Sequence, residues 1–185
     1  MQDLITFLHD SAWPAWLQAF AAVVALAVSA WAVIRSDRSQ RRRDKLQAEG
    51  IAVAIYPEIQ KLRHVVQSAR GELENVRQVS SQLVGQSIAV DIYNAAYIQL
   101  PYFLERNIDS LYVLGGTAGP SCLQLIGAIM QHNDLTDRIH KRVGAMAKSQ
   151  WPEAVQHLLD HLDFVAAVAE KSEAAVAPIH DALKG

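Results

Sequence analysis

Hydrophobic and polar positions along this chain follow two regimes. From residue 12 to residue 34, 23 consecutive positions carry no charge, and only Gln18 and Ser29 are clearly polar. Further on, apolar residues return every third and fourth position: Ile55, Ile59, Leu62, Val66, Ala69, Leu73 and Val76. The first regime predicts a helix solvated by lipid, because about 20 apolar residues at 1.5 Å each cross a hydrocarbon layer roughly 30 Å thick. The second predicts an amphipathic helix over about 46–82 with heptad spacing. Such a helix either supercoils with copies of itself or packs inside one domain. Pro57 is expected to kink or restart it near Tyr56.

The stretch LVGQS then breaks the pattern. A helical segment is expected over about 87–99, interrupted by Pro101, and YFLERNIDSLYVL continues to a stop at Gly115–Gly116. Ser121 is placed to cap a helix over about 121–147, and Pro152 to open a last helix over about 152–176, whose final turns Pro178 weakens. No run of alternating β-branched residues is present. The expected fold is therefore all-α, a single N-terminal transmembrane helix followed by a cytoplasmic helical bundle of four to five helices.

Charge sharpens the first regime. Residues 1–34 hold no Lys or Arg, whereas 35–45 hold Arg35, Arg38, Arg41, Arg42, Arg43 and Lys45 against Asp37 and Asp44. The overall formal charge of −2 conceals this collar, and the remaining 140 residues are mildly acidic, with 11 basic against 15 acidic side chains. Trp13 and Trp16 stand at one end of the uncharged run and Trp31 at the other, about 27 Å apart along a helix, as two interfacial aromatic belts would be. A cleaved signal would carry its basic residues before the apolar run, and a core helix gives no reason for tryptophans at both ends. Basic residues mark the cytoplasmic flank. The chain divides into a short extracytoplasmic N-terminus (1–11), a transmembrane helix (12–34), a basic juxtamembrane collar (35–45) and a cytoplasmic helical domain (46–185), at a bacterial inner membrane. The lipid bilayer is the collar's expected partner, through headgroups and topology, in preference to nucleic acid.

Small or polar residues recur within the span at Gln18, Ala22, Ala25, Ser29 and Ala32. This stripe lets helices approach closely and marks the chain for homo-oligomerisation.

Candidate chemistry is sparse. Cys122 is the only cysteine, which removes disulfides within the chain and cysteine-based zinc sites. In HLLDHLD, His157, Asp160 and His161 stand at i, i+3 and i+4, spacing that can chelate a transition metal or simply form a solvated helix face. His132, Asp134, Asp137 and His140 form a second cluster, which would meet the first if the two helices packed together. LGGTAGPS before a helix offers either backbone N–H groups for a phosphate or a helix stop. No cofactor is expected.

The stretches AFAAVVALAVSAWAVIRSDRSQRRR and IYNAAYIQLPYFLERNIDSLYVL give the chain the outline of small bacterial single-span membrane proteins. It resembles membrane effectors and accessories of phage-defence systems, in particular the membrane accessory of type VI CRISPR systems. That resemblance implies a HEPN-like helical domain and assembly into a pore. The ribonuclease motif of HEPN enzymes, Arg followed four to six residues later by His, is missing, so no catalytic residue carries over. The resulting expectation is a non-enzymatic, homo-oligomeric membrane effector whose cytoplasmic domain senses a signal or partner. The alternative is a membrane-tethered scaffold that recruits a cytoplasmic protein. A third possibility is an enzyme or metal protein built on the His/Asp clusters.

Overall fold

The computed structural model describes residues 12–79, 85–143 and 145–183. The outer-face reading of 1–11 lies outside the described residues, as do Leu83 and Val84 of the LVGQS break and the side chain of Trp13, while Gly85, Gln86 and Ser87 already belong to a helix. The described chain is almost entirely helical, with no β-strand among the described residues. Helix α1 runs Ala12–Val79, α2 Gly85–Ala96, α3 Tyr102–Arg106, α4 Ala118–Val143 and α5 Trp151–Asp181. Short 3-10 turns cover Ile108–Leu114 and Lys148–Gln150.

The span, the collar and the heptad segment are thus not separate elements. They form one helix of 68 residues with Pro57 inside it. Proline removes one backbone donor and crowds the preceding turn, at a cost of about 3 kcal/mol. Burial of the neighbouring Ile55 and Ile59, both 0% exposed, offsets that cost by about 1.5–3 kcal/mol each. The collar continues the helix because Arg and Lys are good helix formers, and Asp37–Arg41 and Lys45–Glu49 bridge successive turns.

Contacts divide the chain into two compact units, 1–44 and 45–185. In the first, every described side chain from Trp16 to Arg43 is exposed. The second holds the core, and there the heptad residues find their partner. Ile55, Ile59, Leu62, Val66, Ala69 and Leu73 are buried and Val76 is half-buried against them. Polar rungs beside this seam identify the facing helix. Tyr56 stacks on His180 at 4.3 Å, Arg63 pairs with Glu173 at 2.7 Å, Arg70 with Asp163 at 3.1 Å, and Arg77 donates to Gln156. The α1 members are spaced by sevens while the α5 members descend, so α1 and α5 lie antiparallel. The heptad pattern packs within the domain.

Helix α4 packs against α5, α2 and the Ile108–Leu114 turn. It begins at Ala118, earlier than the expected cap at Ser121, which is buried inside the helix. The chain reverses into it through Gly115 and Gly116, whose φ of 66° and 49° suit glycine. Pro101 serves α3 as its N-cap residue but has no side-chain acceptor. Glu58 supplies one from α1, its Oε2 accepting from the N–H groups of Phe103 at 2.9 Å and Leu104 at 3.3 Å. Pro178 lies inside α5 without ending it.

Among the described glycines, Gly119 is the one whose neighbours leave no room for a side chain. A Cβ there would lie 2.5 Å from the Leu111 carbonyl oxygen, whereas one at Gly127 of the same helix would meet open space. Gly119→Ala is expected to lower stability by about 1–3 kcal/mol. Gly127→Ala should raise it by up to about 1 kcal/mol, because only the helix-propensity gain acts there. Thermal unfolding of the two variants followed by circular dichroism should shift the midpoint in opposite directions.

Candidate functional site

Two regions hold the residues singled out from the sequence. The first is the exposed half of α1. Trp16 is 72% and Trp31 59% exposed, and Leu17, Phe20, Val23, Val24, Leu26, Val28, Val33 and Ile34 are exposed around them. Gln18, Ala22, Ala25, Ser29 and Ala32 are exposed on one face of the same helix. The Ser29 hydroxyl donates to the Ala25 carbonyl at 2.7 Å, so its proton is satisfied within the helix. By length and apolarity this helix can cross a membrane.

The collar is not one uniform charge. Arg41 pairs with Asp37 at 2.8 Å and Lys45 with Glu49 at 3.8 Å, while Asp44 accepts from the Gln40 amide at 2.9 Å. Among the described residues, no carboxylate pairs with Arg35, Arg38, Arg42 or Arg43. The Arg35 guanidinium lies 5.1 Å from the centre of the Trp31 ring.

The second region is the polar face of α4. Packing of α4 on α5 does bring members of the two His/Asp clusters together, but as one pair. His132 and His161 approach with ring centres 6.3 Å apart. His157 and Asp160 remain exposed, and Asp160 accepts from Gln156. The trio His157, Asp160 and His161 is therefore divided: at 100° per residue His161 turns toward the core edge while the other two face outward. Among the described residues, no three His, Cys, Asp or Glu side chains gather to hold a metal ion.

The α4 residues serve the backbone of α2 and the stretch after it. The His132 Nε2–H donates to the Ala96 carbonyl at 2.8 Å, which fixes its tautomer and caps an orphan carbonyl at the end of α2. Asn133 grips Ile98 at two points, accepting its N–H at 3.1 Å and donating to its carbonyl at 2.8 Å. His140 donates through Nδ1 to the Ala89 carbonyl at 2.9 Å. Search for metal-ligand spacing passes over Asn133, because an amide is a poor metal ligand. Its signal in the sequence is its place on the same face as His132 and His140, next to a helix that must end before Pro101. The glycine loop likewise serves the chain reversal. Pro120 contributes no N–H, Ala118 N–H bonds Gly115 and Ser121 N–H bonds Thr117, which leaves few donors for a phosphate.

An open groove of about 590 Å³ lies between α1 and α5, lined by Arg70, Glu74, Arg77, Gln156 and Asp163 among others. Its charges are engaged with one another, and no nucleophile–base pair occurs there.

Two predictions test this region. Burial holds the imidazole of His132 below its ordinary pKa, aided by the nearby His161 and opposed by the Ala96 bond. The unfolded chain, with His near 6.5, then binds more protons than the folded chain as pH falls below that value. Stability from this group is complete above about pH 6.5 and is lost progressively below it. The midpoint of thermal unfolding should fall between pH 6.5 and 5, with a shallower slope in His132→Gln. Cys122 is buried and its thiol is pushed up to about 11, so it should resist alkylation in the native protein and react on unfolding.

Comparison with protein-family models, curated proteins and solved structures finds no match for this chain.

Proposed function

We propose that this chain is a single-span protein of a bacterial inner membrane, with its N-terminus outside and residues 35–185 in the cytoplasm. It acts there as a homo-oligomeric effector. The observation that carries this reading is the uninterrupted exposure of apolar side chains from Trp16 to Ile34, ending at a basic collar. An apolar surface of this extent on a soluble protein would drive association, whereas lipid solvates it directly. The Gln18–Ala22–Ala25–Ser29–Ala32 face brings copies together, with the Gln18 amide free to bond a neighbour. One span cannot line an aqueous channel, so perturbation of the membrane requires the assembled ring. The helical domain, a bundle closed by the α1–α5 seam, is the part that senses a signal or partner. Resemblance to membrane accessories of phage defence agrees with this division of labour.

A tethered scaffold is the second reading, favoured by the exposed Tyr97, Tyr102, Phe103 and Tyr112, which offer aromatic surface to a cytoplasmic protein. The readings separate on the span. Full-length protein in detergent should exceed the monomer mass by multi-angle light scattering, and overexpression should depolarise cells. Replacing residues 17–33 by leucine should abolish both effects while leaving the protein in the membrane. A monomer that leaves the membrane potential unchanged would sink the effector reading, and a leucine span that retains full activity would establish the scaffold.

A further inference from the structure

The arginines of the collar are divided by the structure in a way that net charge conceals. Trp31, Arg35, Arg38 and Arg42 follow at steps of 4, 3 and 4, which places them within roughly 60° on one face of α1. The two acidic residues of the segment, Asp37 and Asp44, lie roughly 130–150° round the helix from the centre of that face. Each is engaged there, Asp37 by Arg41 and Asp44 by Gln40. Arg35, Arg38 and Arg42 are exposed, without a carboxylate partner among the described residues, and Arg35 is stacked toward Trp31.

We infer that this face, Trp31–Arg35–Arg38–Arg42, is a binding surface for the headgroups of anionic phospholipids. The inference rests on the proposed membrane insertion and goes beyond it, since topology requires only that basic residues follow the span. Trp31 belongs at the hydrocarbon boundary, with its ring among the headgroups. Counted along the helix, Arg35 lies about 6 Å and Arg38 about 10 Å beyond it, within reach of lipid phosphates through side chains that form paired hydrogen bonds. Arg42, about 16 Å beyond, acts through the field of the charged surface, which decays over about 8 Å at physiological salt. A guanidinium held near an indole also has a low desolvation cost when it meets a phosphate, because it is weakly hydrated from the start. The small-residue face Gln18–Ala32 is turned roughly 130° from this stripe. Headgroup binding and helix–helix contact therefore use different sides of one helix, and an anionic leaflet sets the rotation of the span as well as its direction.

The test uses full-length protein in nanodiscs of four parts phosphatidylcholine to one part phosphatidylglycerol, extracted gently and weighed with its retained lipids by native mass spectrometry. Wild type should retain phosphatidylglycerol well above its one-in-five share, and high salt should reduce the excess. Arg35→Gln/Arg38→Gln/Arg42→Gln should lose it by about fivefold per arginine near the surface. Arg41→Gln/Arg43→Gln/Lys45→Gln removes the same charge from the other positions and should keep most of it. Equal loss in the two triple variants would overturn the stripe, since charge number alone would then decide. A wild type without any excess of anionic lipid would overturn headgroup binding altogether. Protein that fails to enter nanodiscs, and that carbonate washes from membranes, would overturn the membrane reading and the stripe with it. Both leaflets of a nanodisc share one composition, so reversal of topology in a variant leaves the readout unchanged.

Discussion

The antiparallel seam between α1 and α5 is the interaction on which the unit 45–185 depends. Its apolar members sit on a seven-residue repeat, and its polar rungs at Tyr56, Arg63, Arg70 and Arg77 keep the same spacing. The buried side chains provide the stabilisation, at about 25 cal/mol per Å² removed from water. The rungs provide alignment: exposed ion pairs contribute at most about 1 kcal/mol each, but a slip of one turn would bring each cation opposite the wrong partner. Glu173 illustrates the point, since Arg63 holds its carboxyl below the usual range and Gln60 donates to its other oxygen. With α1 and α5 in register, α4 fills the remaining face and presents its polar stripe to α2.

That stripe shows how histidines can cluster without forming a site. A helix that ends inside a protein leaves carbonyls needing donors. Helix α2 ends at Ala96, five residues before Pro101, and Leu100, which precedes the proline, is disfavoured in helical conformation. Residues 97 to 100 form no regular element, and α4 supplies His132 to bond the Ala96 carbonyl and Asn133 to bond Ile98. Imidazole and amide suit this duty because each carries a donor on a short, stiff side chain. The same composition read as metal-ligand spacing gives a different answer, and only the neighbouring backbone decides between them.

The parts legible in the sequence were those with a long period. The uncharged run, the arginine cluster and the heptads from Ile55 to Leu73 each involve many residues that repeat one message, and all-helical structure follows from them. Boundaries were less legible. Continuity of α1 through Arg35–Lys45 and past Pro57 arises from ion pairs along the helix and from burial on its far side, and neither is a local property of the proline. The start of α4 at Ala118 was hidden because Ser121 is a good cap by chemistry but is used instead as a buried carbonyl acceptor for Ser172. The placement of His161 at the core edge, against the outward His157 and Asp160, follows from an azimuth roughly 40° from His157 and roughly 100° from Asp160, which matters only once α4 is in place.

The carboxylate that Glu58 lends to α3 has a consequence for how the domain can be observed. A helix of five residues ordinarily opens by fraying, independently of anything distant in sequence. Here the amides of Phe103 and Leu104 are bonded to a side chain 45 and 46 residues earlier. Their exchange with solvent deuterium is governed by the parting of α1 from α3, not by the melting of α3 alone. Two adjacent amides in the shortest helix thus form a natural gauge of tertiary opening in the whole unit.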